Sequence, residues 1–66
     1  MNKNKLKSCI VREGYTAEVV AEKVGLSNTA FSRKVNGRSE FRLNEIQALI
    51  KTLCLDNDEV VEIFFA

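Results

Sequence analysis

The chain is 66 residues long and 45% apolar, with ten Lys+Arg against nine Asp+Glu, a formal charge of +1. That is the size of one small domain, residues 1–66, with apolar side chains enough for one core. Wholesale disorder is excluded, and so is a helical membrane span, because no apolar run approaches the roughly 18 residues that crossing requires.

The absence of proline and the presence of only three glycines predict short helices with tight joints and no strand. The first helix is expected over residues 4–13, with Leu6, Cys9, Ile10 and Val11 as its apolar stripe and Gly14 ending it. The second starts from Thr16 as N-cap and runs to Val24. Val20, Ala21 and Val24 recur at helical spacing, Glu18 complements the macrodipole, and Gly25 stops the helix. The third starts from Ser27 as N-cap and runs to Asn36, where Gly37 ends it. Only Gly25 and Leu26 separate these two helices, which forces a sharp turn between them. A loop over residues 37–42 follows, anchored inward by Phe41. The fourth helix, residues 43–53, sets Ile46, Leu49, Ile50 and Leu53 on one face, and Leu55 is a buried joint. The fifth begins at Asp56, with Glu59 three residues on in a capping-box pattern, and runs to the C-terminus. The fold class is all-α, five short helices.

Chemistry is poorly supported. Without histidine, a general base near neutral pH needs a strongly perturbed carboxylate or lysine, which so small a domain hardly buries. No P-loop, nucleophile elbow or dinucleotide fingerprint is present, so no enzyme and no cofactor are expected. Cys9 and Cys54 are far apart in apolar patterns and read as reduced core residues; without further ligands they make no metal site. The basic residues 1–7 are followed by only Ser8 to Val11 before Arg12 and Glu13, so no signal peptide is expected and the location reads as cytoplasmic.

Residues 16–37 read TAEVVAEKVGLSNTAFSRKVNG. This segment resembles the helix-turn-helix of the phage lambda-repressor and Cro (XRE-type) family, whose pattern is roughly Thr-Gln-x-x-Leu-Ala-x-x-x-Gly-(Ile/Val/Leu)-Ser-x-x-x-(Ile/Phe)-Ser-x-x-x-x-Gly. Thr16, Val20, Ala21, Gly25, Leu26, Ser27, Phe31, Ser32 and Gly37 stand at matching places. The continuation Ser39-Glu40-Phe41 with Leu43, Glu45 and Ile46 is similar to small Cro-like regulators of phages and their hosts. There are departures. The family's Gln after the Thr, commonly a phosphate contact, is Ala17 here. Lys34 stands where relatives are often apolar or aromatic, and Arg42 where a Thr or Ser N-cap is expected.

The resemblance implies a DNA-binding transcriptional regulator, a repressor of the Cro kind, with its third helix in the major groove of double-stranded DNA. At about 100° per residue, Asn28, Thr29, Ser32 and Arg33 share one side of that helix, and Ala30, Phe31 and Val35 the other. Asn matches adenine N6/N7 and Arg matches guanine O6/N7. In the family the first two residues after the N-cap and the sixth read bases, here Asn28, Thr29 and Arg33, with Ser32 between them. Backbone contacts are expected from Thr16 and the N–H groups at Ala17, and on the other side from Asn36, Arg38, Ser39 and Arg42. Lys34 is a weaker candidate, since its stem lies along the core with its amine at an edge. Lys3, Asn4, Lys5 and Lys7 are either a basic arm against DNA or a solvated end.

On the fifth helix the apolar arc is about 200° wide, against the roughly 100° that one core contact needs, and the solvated polar arc is left to Glu59 and Glu62. Val60, Ile63 and Phe64 suffice to close the core, leaving Val61 and Phe65 over. Val61, Phe64 and Phe65 are therefore expected at a homodimer interface, with adjacent parts of the fourth helix; the alternative folds Val61 and Phe65 back onto the first helix. Two rival functions stay open: an antitoxin-type regulator, and a helical protein-interaction module that does not bind DNA. No small-molecule ligand is expected. The near-neutral total hides two unlike halves. Residues 1–42 hold nine basic and four acidic side chains, residues 43–66 one basic and five acidic. The positive half is the one that DNA would face.

Overall fold

The computed structural model describes residues 1–65. In chain order it has α1 (Lys3–Arg12), α2 (Ala17–Lys23), α3 (Asn28–Val35), α4 (Leu43–Leu53) and α5 (Asn57–Val60). The last runs on into a π-helical turn over Val61–Phe65, and there is no strand among the described residues. The all-α expectation and all five helices hold. The first four end within a residue or two of expectation, while the fifth, expected to run to the C-terminus, turns π-helical at Val61, and its expected end at residue 66 lies outside the described residues.

Local chemistry explains most boundaries. Asn2 Oδ1 accepts from the Lys5 N–H at 3.1 Å, so α1 starts one residue earlier than its periodicity suggests. Thr16 Oγ1 accepts from Val19 N–H at 3.2 Å and Ser27 Oγ from Ala30 N–H at 3.1 Å. Each such cap contributes about 1 kcal/mol. Gly25 and Gly37 take φ of +81° and +80°, and the Leu26 and Arg38 N–H groups then close back onto the Ala21 and Arg33 carbonyls at 2.9 Å. The space around both glycines is open, so the backbone conformation alone reserves these positions.

The core draws on every helix. Leu6, Val20, Leu49, Leu53 and Ile63 are fully shielded, with Cys9, Ile10, Ala21, Phe31, Val35 and Leu55 beside them. Burying each large side chain stabilises the fold by about 1.5–3 kcal/mol. Ala21 is small where α2 meets α3. Phe41 anchors the α3–α4 loop edge-on between Phe31 and Phe64, at 5.9 and 6.2 Å between ring centroids.

Three expectations are corrected. Val11 does not join the α1 stripe but is 74% exposed, because Leu6, Cys9 and Ile10 already fill the inward arc. Cys54 is not a core residue: it is exposed and takes the left-handed C-cap of α4 at φ 53°, which lets Leu55 turn inward. Glu59 does not lie on a solvated arc but is buried. Its Oε1 accepts from Asp56 N–H at 3.2 Å in the capping box, and its Oε2 takes the Arg12 guanidinium and the Cys9 thiol, the latter at 3.4 Å.

Candidate nucleic-acid interface

The Ser27 cap sets the start of α3, and burial of Phe31 and Val35 sets its rotation. Asn28, Thr29, Ser32 and Arg33 are then all exposed on its outer side. Asn36, at the C-cap, donates from Nδ2 to Ser32 Oγ at 3.4 Å and accepts from Lys3 Nζ at 3.5 Å. The Ser32 hydroxyl proton is left to donate outward.

A hollow opens on each flank of this ridge. One, on the α1 side, has Ala17, Asn28, Ser32 and Asn36 on its rim. The other, on the loop side, is lined by Ser27, Thr29, Arg33 and Ser39 among others. Thr16, Ala17, Arg38, Ser39 and Arg42 are all exposed, so the expected flanking residues bracket α3 from both sides.

Lys34 is placed differently. Its Nζ lies 2.6 Å from Glu45 Oε1, with side chains only 13% and 8% exposed. The same carboxylate oxygen accepts from the Arg42 N–H at 2.8 Å. The Lys34 ammonium, then the Arg42 N–H, hold the Glu45 carboxyl below its usual range. Arginine has no acceptor and cannot cap α4 with its side chain; Glu45 supplies only the reciprocal bond of a capping box, accepting from the Arg42 N–H. Lys34 thus links α3 to α4 rather than projecting from the outer face. Glu45 carried no expectation of this kind; its sequence signals are its place three residues after the Arg42 N-cap and in the Cro-like continuation.

Charge neutralisation elsewhere sharpens the picture. Arg12 is engaged by Glu13 and Glu59 and donates to the Leu53 carbonyl at 2.9 Å, and Lys5 lies 3.8 Å from Glu62. The Arg12 guanidinium, then the Asp56 N–H, push the Glu59 carboxyl down to about 2. Burial, then the hydrogen bond to Glu59, pushes the Cys9 thiol up. Among the described residues Arg33, Arg38 and Arg42 have no carboxylate partner, and neither have Lys3, Lys7, Lys23 and Lys51. The three arginines lie on or beside α3.

In the C-terminal turn, Val61 is 56% and Phe65 73% exposed, while Phe64 is half-buried against Phe41. Leu43, in the first turn of α4, is 71% exposed, and Met1 is 46% exposed in the same hollow as Phe65, Phe41 and Ile46. Val61 and Phe65 do not fold back onto α1. Instead the Asn2 N–H meets the Ile63 carbonyl at 2.8 Å, tying the N-terminus to the π-helical turn.

Two capped helices joined by Gly25–Leu26, the second presenting Asn, Thr, Ser and Arg outward, define a helix-turn-helix module, a DNA-binding class of domain. Consistent with this, the chain matches the family model described as a helix-turn-helix domain over residues 5–63, and it belongs to that family. Comparison with curated proteins and with solved structures returned no match. Among the described residues no helix is long and apolar enough to cross a membrane, and no cluster of three or more potential metal ligands occurs.

Proposed function

We propose that this chain is a sequence-specific transcriptional regulator of the Cro/repressor kind. It binds a near-palindromic operator as a homodimer, with α3 in the major groove. The observation that carries this reading is the outer face of α3: Asn28, Thr29, Ser32 and Arg33 stand exposed while Phe31 and Val35 lock the opposite face. Asn28 and Arg33 suit bidentate contact with adenine and guanine, and Thr29 and Ser32 offer hydroxyls to either. Thr16, Ala17, Asn36, Arg38, Ser39 and Arg42 flank the helix as backbone contacts, which fix register rather than sequence. Lys34 serves through its tie to α4.

The dimer forms through the C-terminal turn, Val61, Phe64 and Phe65, with the start of α4. Exposed large apolar side chains at that end support it. A two-fold dimer sets its recognition helices about one DNA turn apart. The protein acts in the cytoplasm by occupying DNA, excluding or recruiting polymerase, without catalysis, cofactor or small-molecule ligand.

A fluorescence titration against the DNA upstream of its own gene, with unrelated duplex as competitor, tests this reading. Tight binding with a steep inverse salt dependence is expected. If Arg33→Ala leaves affinity and sequence preference unchanged, the recognition-helix assignment is wrong.

A further inference from the structure

The N-terminal lysines are not equivalent. Lys3 and Lys7 are spaced i, i+4 and so share a side of α1, and Ile10 continues that side a turn later. Lys5 lies off this row and is drawn to Glu62. Lys3 reaches Asn36 at the end of α3, and Lys7 lines the hollow between α1 and α3. Neither is ion-paired among the described residues.

That hollow has an apolar floor of Ile10, Phe31 and Val35 and a polar rim of Lys7, Asn28, Ser32 and Asn36, with Ala17 at its mouth. No carboxylate is among the described residues that line it. A longer side chain at residue 17 would reach into this space; alanine leaves it open. Two of the rim residues, Asn28 and Ser32, also belong to the outer face of α3, so a duplex lying against α3 covers the hollow.

We propose that Lys3, Lys7 and this hollow form a further seat for the DNA backbone, taking one sugar–phosphate unit on the α1 side of α3. The deoxyribose rests on the apolar floor. The phosphate oxygens take the Lys3 and Lys7 ammonium groups, Lys3 being steered to this side of α3 by Asn36. The seat makes α1 part of the interface and rests on the proposed DNA-binding function. It reads no base, so it raises affinity for every sequence equally.

The test is a salt titration of binding to a short, labelled, mixed-sequence DNA duplex. Lys3→Gln and Lys7→Gln are each expected to lower the slope of log Kobs against log salt by about 0.9, with unchanged thermal melts. Lys5→Gln, whose charge is engaged by Glu62, is expected to leave the slope alone. Ala17→Leu closes the mouth of the hollow and is expected to weaken binding several-fold, whereas Ala17→Ser is not. If wild type binds but Lys3→Gln and Lys7→Gln keep its slope, the seat is refuted. An equal loss in Lys5→Gln assigns the effect to diffuse net charge, and full affinity in Ala17→Leu shows that the hollow is unused; either also refutes it. Absence of salt-dependent binding by wild type overturns the DNA-binding reading itself.

Discussion

The Lys34 ammonium and the Glu45 carboxylate, 2.6 Å apart, join the last turn of α3 to the first turn of α4 across the loop that carries Arg38, Ser39 and Arg42. The pair closes that loop at its base, and the Arg42 N–H on the same oxygen fixes where α4 begins. This contact therefore ties down the base of the loop, while burial of Phe31 and Val35 sets the rotation of α3 and Phe41 anchors the loop's middle.

Breaking this pair from one side strands a mostly buried charge, which costs about 3 kcal/mol. Glu45→Gln keeps an oxygen for the Arg42 N–H but leaves Lys34 without its counter-charge, so a clear fall in urea midpoint is expected. Adding Lys34→Met removes the stranded ammonium and should recover part of that loss. A double-mutant cycle measures the coupling, expected at about 1–3 kcal/mol. Additive effects would show that the two side chains act independently. Trypsin supplies a second readout: cleavage after Arg38 and Arg42 should accelerate in Glu45→Gln.

Acid should weaken the fold through Glu59. Its folded-state value of about 2 lies below the ordinary 4.5, so between those limits the unfolded chain binds more protons. The stabilisation is complete above 4.5 and is lost as pH falls toward 2. Glu45, also held low, contributes in the same direction. Glu59→Gln should melt lower than wild type at neutral pH, and its melting temperature should fall less steeply through this window. Parallel curves for the two proteins would show that Glu59 does not hold its proton-free form through Arg12.

On a cognate operator, Arg33→Ala and Asn28→Ala should each lose about 1–3 kcal/mol of discrimination at a single base position. Thr29→Ala and Ser32→Ala should lose less, since each offers one hydroxyl. Competition against an operator set varied one base pair at a time reads this directly. Equal weakening on all operators would place these side chains on phosphate instead.

Arg38→Gln and Arg42→Gln should behave in the opposite way. Each should weaken binding to every duplex alike and reduce the salt slope by about 0.9, with sequence preference retained. A slope equal to wild type would remove the residue from the backbone contacts.

The parts of this architecture that local chemistry determines are legible in the sequence. Thr16 and Ser27 cap because their hydroxyls sit just before apolar-periodic runs, and Gly25 and Gly37 end helices because only glycine takes their positive φ without strain. The outer face of α3 follows from its angular pattern. Long-range polar pairing is not legible. Glu59 announces its capping box with Asp56, three residues away, but its partner Arg12 lies 47 residues back on another helix. The helical wheel lays the Lys34 stem along the core with its amine at an edge, and nothing local names Glu45 as its partner. Cys54 sits in an apolar pattern that carries no mark of a left-handed turn. Its exposure depends on where α4 stops.

Phe65 provides the sharpest test of assembly. It is 73% exposed and shares a hollow with Met1, Phe41 and Ile46, while Phe64 beside it is already half-buried against Phe41. The π-helical turn that carries Phe65 is held from behind by the Asn2–Ile63 bond and by Ile63, which is fully buried, so the exposed ring can be changed without opening the core. Phe65→Asp should therefore leave the melting temperature of the isolated protomer close to wild type. Its effect should fall on self-association, because an aspartate at the centre of an apolar contact is left desolvated and unpaired. Sedimentation at micromolar concentration should show a wild-type dimer and a Phe65→Asp monomer. The same variant should bind an operator half-site as wild type does, and the full near-palindrome much more weakly. A wild type that stays monomeric both free and on DNA would remove the homodimer from the proposed function.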